Sequence, residues 1–268
     1  MKYVGVLLGL LWMCMGGYAS HVDTVRVYSS SMQKEIPVVY VLPNKVLQGE
    51  ACPVVYLLHG YSDNYKTWIS RKPDLKLQAD EKGFIMVCPD GSTSWYWDSP
   101  VDSTFRYETF VSQELVEYTD SHYPTLRSPK GRAISGQSMG GHGALWLAVH
   151  HPDVFGAAGS MSGGVDIRPF PKNWEIDRRL GNLEEYPEVW ETYTVINCLS
   201  LFKQAGLDLI IDCGASDFFY EVNCQLHRKL LEQGVRHDFI IRPGGHSWEY
   251  WVSSFDFQLL FFQKYFNK

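Results

Sequence analysis

The chain has 268 residues, of which 45% are hydrophobic and 20% charged, which suits one large domain with a sizeable core. A net charge of −6 with no basic block excludes the electrostatic footprint of a nucleic-acid-binding protein. The aromatic share is high, 15%, and much of it falls in stretches that read as loops.

Residues 1–19 read as a targeting segment. Lys2 gives a minimal positive start, and residues 4–15 form an apolar stretch too short to span a bilayer comfortably. Gly17-Tyr18-Ala19 offers the small residues that a signal peptidase reads. Cleavage is expected after Ala19, leaving residues 20–268 as a single domain, periplasmic or secreted, with no stable membrane span. The alternative is an uncleaved anchor. Cys14 raises lipid anchoring, but Trp12 and Met13 before it are too bulky for the usual attachment motif. Export implies an oxidising compartment, yet the cysteines do not read as a framework. Without Cys14 an odd set remains, Cys52, Cys88, Cys198, Cys213 and Cys224, and Cys88 and Cys213 sit in apolar, strand-like runs where a thiol acts as a small hydrophobe. One disulfide fits this set; a stapled fold does not.

Residues 24–29 and 37–41 are β-branched, partly alternating runs, expected to pair antiparallel at the entry to the domain. Apolar strand candidates follow at 54–58, 84–88, 133–135, 157–161, 207–213 and 238–242, with helical stretches at 74–81, 108–120, 140–150, 218–233 and 248–266. Strands alternating with helices predict an α/β fold: a mainly parallel central sheet with helices on both faces. Residues 163–194 have no clear period and are rich in proline and aromatic residues. They read either as a partial cover over a site or as a long irregular connection.

Gly136-Gln137-Ser138-Met139-Gly140-Gly141 is the most informative motif. A G-x-S-x-G run between an apolar strand and a buried helix is a nucleophile elbow, with the serine exposed on a strained turn above the sheet. A serine hydroxyl needs a base, and the base an orienting acid, which in this architecture follow in the order acid, then histidine. Residues 209–213 run as a strand into Gly214-Ala215-Ser216-Asp217, and Asp217 lies just past the strand end. Asp212 is the competitor, but it falls within the strand. Pro243-Gly244-Gly245-His246 follows the last strand, and its glycine turn can bring the His246 ring over the sheet edge. His142 reads as pointing away from the serine, His150 and His151 as closing their helix, and His227 and His237 as surface residues. No compact metal-ligand spacing appears, so no metal or cofactor is expected.

Acyl transfer also needs two N–H groups aimed at the developing oxyanion. The Met139 N–H, directly after the serine, is one. The other is expected from Leu57-Leu58-His59-Gly60-Tyr61, where Gly60 allows a sharp turn that frees the Tyr61 N–H. His59 reads as a local hydrogen-bonding residue, not a base.

With these segments in hand, the chain resembles the esterase D-like, carbohydrate esterase family one branch of the α/β-hydrolases. The resemblance runs from about Val25 to the C-terminus. It rests on Leu57-Leu58-His59-Gly60, on Tyr107-Glu108-Thr109-Phe110 with Glu114-Leu115, on the elbow, and on Gly244-Gly245-His246-Ser247-Trp248. It implies the α/β-hydrolase fold, nucleophile Ser138, acid Asp217, base His246, oxyanion donors Met139 and Tyr61, and no metal or cofactor. That branch holds feruloyl and acetylxylan esterases, tributyrin-type esterases, S-formylglutathione hydrolases and mycolyltransferases, and the motifs do not choose among them.

Substrate choice then falls to loops. Trp95, Tyr96 and Trp97 could stack on a sugar or hydroxycinnamoyl ring, or pack against neighbouring loops. Phe218, with Phe219 and Tyr220, could line an acyl pocket or equally be packing, whereas Trp248, Tyr250 and Trp251 read as helix core. Export argues against cytosolic S-formylglutathione hydrolysis. The leading expectation is therefore an exported serine carboxylesterase acting on acyl or feruloyl esters, on carbohydrates. A generalist short-chain esterase or thioesterase, an acyltransferase to an alcohol, and a non-catalytic binding module are the alternatives. Its partner is a small-molecule or carbohydrate ester rather than nucleic acid, and the oligomeric state is left open.

Overall fold

In the computed structural model, which describes residues 21–268, the apolar runs pair into one sheet of eight strands. The expected targeting segment, its cleavage point and Cys14 lie outside the described residues. The strands are β1 (His21–Ser29), β2 (Lys34–Leu42), β3 (Val54–Leu58), β4 (Ile85–Pro89), β5 (Arg132–Gln137), β6 (Ala157–Met161), β7 (Asp208–Gly214) and β8 (Asp238–Arg242). Their order across the sheet is β1-β2-β4-β3-β5-β6-β7-β8. β1 and β2 join antiparallel, β2 meets β4 antiparallel, and every later pairing is parallel. The mainly parallel sheet with antiparallel entry strands is the architecture expected from the sequence.

Both faces are covered, which is why the central strands read as unbroken apolar runs. Along β3, Val54, Tyr56 and Leu58 face one core and Val55 and Leu57 the other. The helices that matter here are α1 (Leu75–Lys82), α2 (Leu115–His122), α3 (Met139–His150), α4 (Leu199–Ala205), α5 (Tyr220–Glu232) and α6 (Trp248–Phe266). α1 and α6 cover the second face through Leu75, Ala79, Phe255, Leu259 and Phe262. α2 to α5 cover the first through Leu115, Leu145, Phe202 and Leu226.

One stretch differs from the sequence-based reading, and a second bears on the two readings of residues 163–194. The expected helix at 108–120 is not one α-helix: Phe110–Glu114 winds as a π-helical turn before α2. There Glu114 reaches back to the β1–β2 turn, accepting hydrogen bonds from Ser29 Oγ at 2.6 Å and from Ser30 Oγ and the Ser31 N–H at 2.7 Å. Residues 163–194 carry two short helices, Ile176–Leu180 and Pro187–Thr192, and bury Val165, Ile167, Ile176, Leu180 and Trp190. They are a packed connection anchored in the core. All five described cysteines are free and buried, and burial pushes the Cys88 and Cys198 thiols up to about 12.

The strand-to-helix junction at the centre of the sheet tolerates no added atoms. A Cβ on Gly136 would stand 2.5 Å from the Gly140 carbonyl, and one on Gly140 would stand 2.5 Å from the Leu58 carbonyl oxygen. These neighbours are backbone and cannot swing aside. Gly140→Ala is therefore expected to cost about 1–3 kcal/mol through overpacking. In a thermal melt this reads as a drop of several degrees, and an unchanged midpoint would refute the close approach.

Candidate active site

Ser138 sits between β5 and α3 with φ 57° and ψ −119°, a conformation that a side-chain-bearing residue rarely adopts. It is held there from both sides. Its N–H donates to the Met161 carbonyl at 2.9 Å, and its own carbonyl accepts from the His142 N–H at 3.0 Å. The turn lifts the hydroxyl clear of the sheet while the α3 N-terminus begins directly behind it.

Asp217 and His246 arrive on two turns that are clamped to each other. The Ser216 N–H donates to the Gly244 carbonyl at 2.9 Å, and a Cβ on Gly214 would stand 2.4 Å from that same oxygen. Gly244 has φ +142°, which glycine alone adopts without strain. Asp217 Oδ1 accepts the Phe219 N–H at 2.8 Å, and its carboxylate is fully buried. His246 Nδ1 lies 2.9 Å from Asp217 Oδ2 and 3.0 Å from Oδ1, and its Nε2 lies 2.9 Å from Ser138 Oγ. The three side chains form one hydrogen-bonded line. With Nδ1–H donated to the buried carboxylate, Nε2 presents its lone pair to the serine hydroxyl, the arrangement a general base requires. Asp212 is engaged elsewhere: it is buried under α6 and accepts from the Tyr250 and Ser254 hydroxyls. Burial raises its pKa, and those bonds oppose the rise.

The second expected oxyanion donor depends on one peptide plane. His59 Nε2 accepts the Gly91 N–H at 2.7 Å, so that nitrogen carries no proton. The proton is on Nδ1, which donates to the Gly60 carbonyl at 2.8 Å. Burial keeps the ring neutral by lowering its pKa. In a trans peptide the N–H points opposite to the carbonyl. Pinning Gly60 O toward His59 therefore turns the Tyr61 N–H away from that ring, on the residue that lines the same cleft as Ser138. A Cβ on Gly60 would come within 3.3 Å of Ser138 Cβ, so the loop meets the serine closely. Met139 is the first residue of α3, where the N–H has no partner inside the helix.

The expectation of exposed aromatics at Trp95, Tyr96 and Trp97 is corrected: they are 1%, 0% and 0% exposed, and none lines the cleft. Left-handed backbone at Trp95 (φ 57°) and Tyr96 (φ 62°) tucks the run beneath the site. Trp95 and Trp97 stack at 5.7 Å and meet His142 edge-on. The Tyr96 hydroxyl accepts the His59 N–H and donates to the His59 carbonyl, both at 3.0 Å, and so braces the loop from below. Their role is support, not ligand contact.

Ser138 and His246 open onto a cleft of about 470 Å³. Phe218 lines it, half exposed, with its ring 4.2 Å from His246; Phe219 lies buried behind. Sequence reading missed Asp63, Arg71 and Trp174, which line the cleft. Trp251 is core and Trp248 packs against it, as expected, and both also edge the cleft. Trp174 comes from the aperiodic stretch, and only long-range packing brings it there. The signal for Asp63 and Arg71 was slight, a polar residue in the loop after Gly60 and another at the end of the short helix Thr67–Arg71.

The remaining histidines are structural. His142 Nδ1 donates to the Gly164 carbonyl at 3.0 Å, and complete burial lowers its pKa to about 3. His227 and His237, expected as separate surface residues, form a half-buried pair at 2.7 Å. Among the described residues no three His, Cys, Asp or Glu side chains are grouped to hold a metal ion.

Two outcomes follow from this framework. Between pH 6.5 and about 3 the unfolded chain protonates His142 and the folded one does not, so stability falls as pH drops through that window. His142→Gln should flatten the dependence of melting temperature on pH between 6.5 and 4, and equal slopes would refute the assignment. Tyr96→Phe leaves the buried His59 N–H and carbonyl without their hydroxyl partner, which costs about 1–3 kcal/mol. Denaturant titration should read that loss.

Comparison with known proteins follows the same line. Residues 29–262 match the family model described as "Putative esterase". An acetyl esterase from Caldicellulosiruptor saccharolyticus is 25% identical over 251 residues, 85% of this chain and 92% of its own. A ferulic acid esterase of known structure is 27% identical with a TM-score of 0.79, over 92% of this chain and all of its own. An S-formylglutathione hydrolase from Staphylococcus aureus, at 20% identity, shares the fold with a TM-score of 0.78 over 91% of this chain and 100% of its own. The chain belongs to this esterase family, and it is a hydrolase acting on carboxylic ester bonds.

Proposed function

We propose that the protein is an exported esterase that removes acyl or feruloyl groups from carbohydrates, with Ser138 as nucleophile, His246 as base and Asp217 as orienting acid. The observation that carries this reading is the hydrogen-bonded line from Ser138 Oγ through His246 to the buried Asp217 carboxylate. His246 Nε2 takes the serine proton as Oγ attacks the ester carbonyl carbon. The carbonyl oxygen becomes an anion facing the Met139 and Tyr61 N–H groups. As the intermediate collapses, His246 returns the proton to the departing alcohol and an acyl-serine remains. Water, deprotonated by the same imidazole, then releases the acid and restores Ser138. Buried Asp217 fixes the ring and stabilises its transient positive charge.

Three supports point to the substrate. The relatives include an acetyl esterase and a ferulic acid esterase. Trp174, Phe218, Trp248 and Trp251 give the cleft aromatic walls that suit a flat acyl group. The pattern of residues 1–19 suits export, and esterified polysaccharides lie outside the cell. A generalist short-chain esterase is the second reading, favoured by the openness of the cleft to solvent at half-exposed Phe218.

Purified mature protein is expected to hydrolyse 4-nitrophenyl acetate, 4-nitrophenyl butyrate or methyl ferulate. Ser138→Ala and His246→Ala should each lower kcat by roughly ten-thousandfold to a millionfold. Appreciable turnover left in His246→Ala would remove that residue from the mechanism. Ferulate turnover favours the carbohydrate side-chain reading, and turnover of acetate or butyrate alone favours a deacetylase or a generalist.

A further inference from the structure

We infer that Asp63, with Arg71 beside it, forms a subsite for the hydroxyl groups of the alcohol half of the ester, and that this alcohol is a sugar or similar polyol. The inference rests on the carbohydrate reading above and assigns it to particular residues.

The cleft has two unlike walls. Trp174 and Phe218 stack at 5.6 Å with their planes 17° apart, and Phe218 continues onto His246. The other wall comes from one stretch after β3 and carries Ser62, Asp63 and Arg71. Asp63 Oδ2 accepts from Gln137 Nε2 at 3.0 Å, and Trp248 lines the same cleft. Gln137 immediately precedes Ser138, and Trp248 lies two residues beyond His246. The carboxylate is thus fixed to the residue before Ser138 without bonding to Ser138 or His246.

Its bonding capacity is not exhausted. A carboxylate offers about four lone-pair sites, and Gln137 engages one of them. Among the described residues neither Asp63 nor Arg71 belongs to an ion pair. Half-burial penalises the Asp63 charge and raises its pKa, a penalty that a donor in the cleft would relieve. The pairing of groups selects the class of ligand. Arg71 disfavours a cation at this wall and Asp63 disfavours an anion, whereas neutral hydroxyls satisfy both by donating to one and accepting from the other. The leaving alcohol must also receive its proton from His246, which lines the same cleft as Asp63. A flat, apolar acyl group suits the aromatic wall and leaves the polar wall to the alcohol.

The test compares two acetates that differ only in the alcohol, an acetylated xylooligosaccharide and 4-nitrophenyl acetate, as a ratio of kcat/KM values. Asp63→Ala should lower that ratio by about 10- to 100-fold, the effect of losing a charge-assisted hydrogen bond, and chiefly through KM. Asp63→Asn keeps one acceptor, should recover part of the ratio, and serves as the readout if the alanine variant melts early. An unchanged ratio in both variants, whether the two activities fall together or neither moves, overturns the subsite. Wild type that cleaves 4-nitrophenyl acetate and leaves the oligosaccharide intact overturns the carbohydrate reading, and the subsite with it.

Discussion

The backbone at Ser138 is held in a conformation that costs about 1–3 kcal/mol for a residue with a side chain, and the fold is arranged to hold it. β5 lies between β3 and β6 in the middle of the sheet, so its end cannot relax sideways. The Ser138 N–H continues the ladder to β6, and its carbonyl starts α3. Gly136, Gly140 and Gly141 let the helix start press against β3, β5 and the end of β6 at distances where any Cβ would collide. Position of the hydroxyl is therefore a property of the core, not of a mobile loop.

The other groups of the proposed triad are fixed by backbone contacts of the same kind. The turns that carry Asp217 and His246 share a hydrogen bond through Gly244. Tyr96 and His59 grip the loop after β3, one through its backbone and one through the Gly60 carbonyl. Preorganisation of this sort is what lets N–H groups and a carboxylate act on charge as it develops, without reorganising first. The aromatic residues divide accordingly. Trp95, Tyr96 and Trp97 are buried beneath the site as support, whereas Trp174, Phe218, Trp248 and Trp251 face the cleft.

Much of the architecture was legible because it is written in local pattern. Strands at 54–58, 157–161 and 238–242 and the helix at 248–266 were read with the boundaries the structure has. Apolar period and glycine punctuation are local properties, and the glycine positions of the elbow carry their own reason. The π-helical turn at Phe110–Glu114 was not legible, since it accompanies a carboxylate reaching a turn more than 80 residues away. Nor was the pairing of His227 with His237, which joins the middle of α5 to the approach of β8.

Sequence by itself determined the α/β fold class, the elbow at Ser138 and the order of candidate acid and base, because each depends on short spacing and on backbone conformations that few residue types accept. It could not decide the fate of the aromatic and polar side chains around the cleft. Trp95 and Trp174 look alike in sequence, each in an irregular stretch rich in turns, yet one is core and the other is wall. Burial is decided by which elements the fold brings together. Asp63 is tied to the elbow only because Gln137, 74 residues further along the chain, folds back against it.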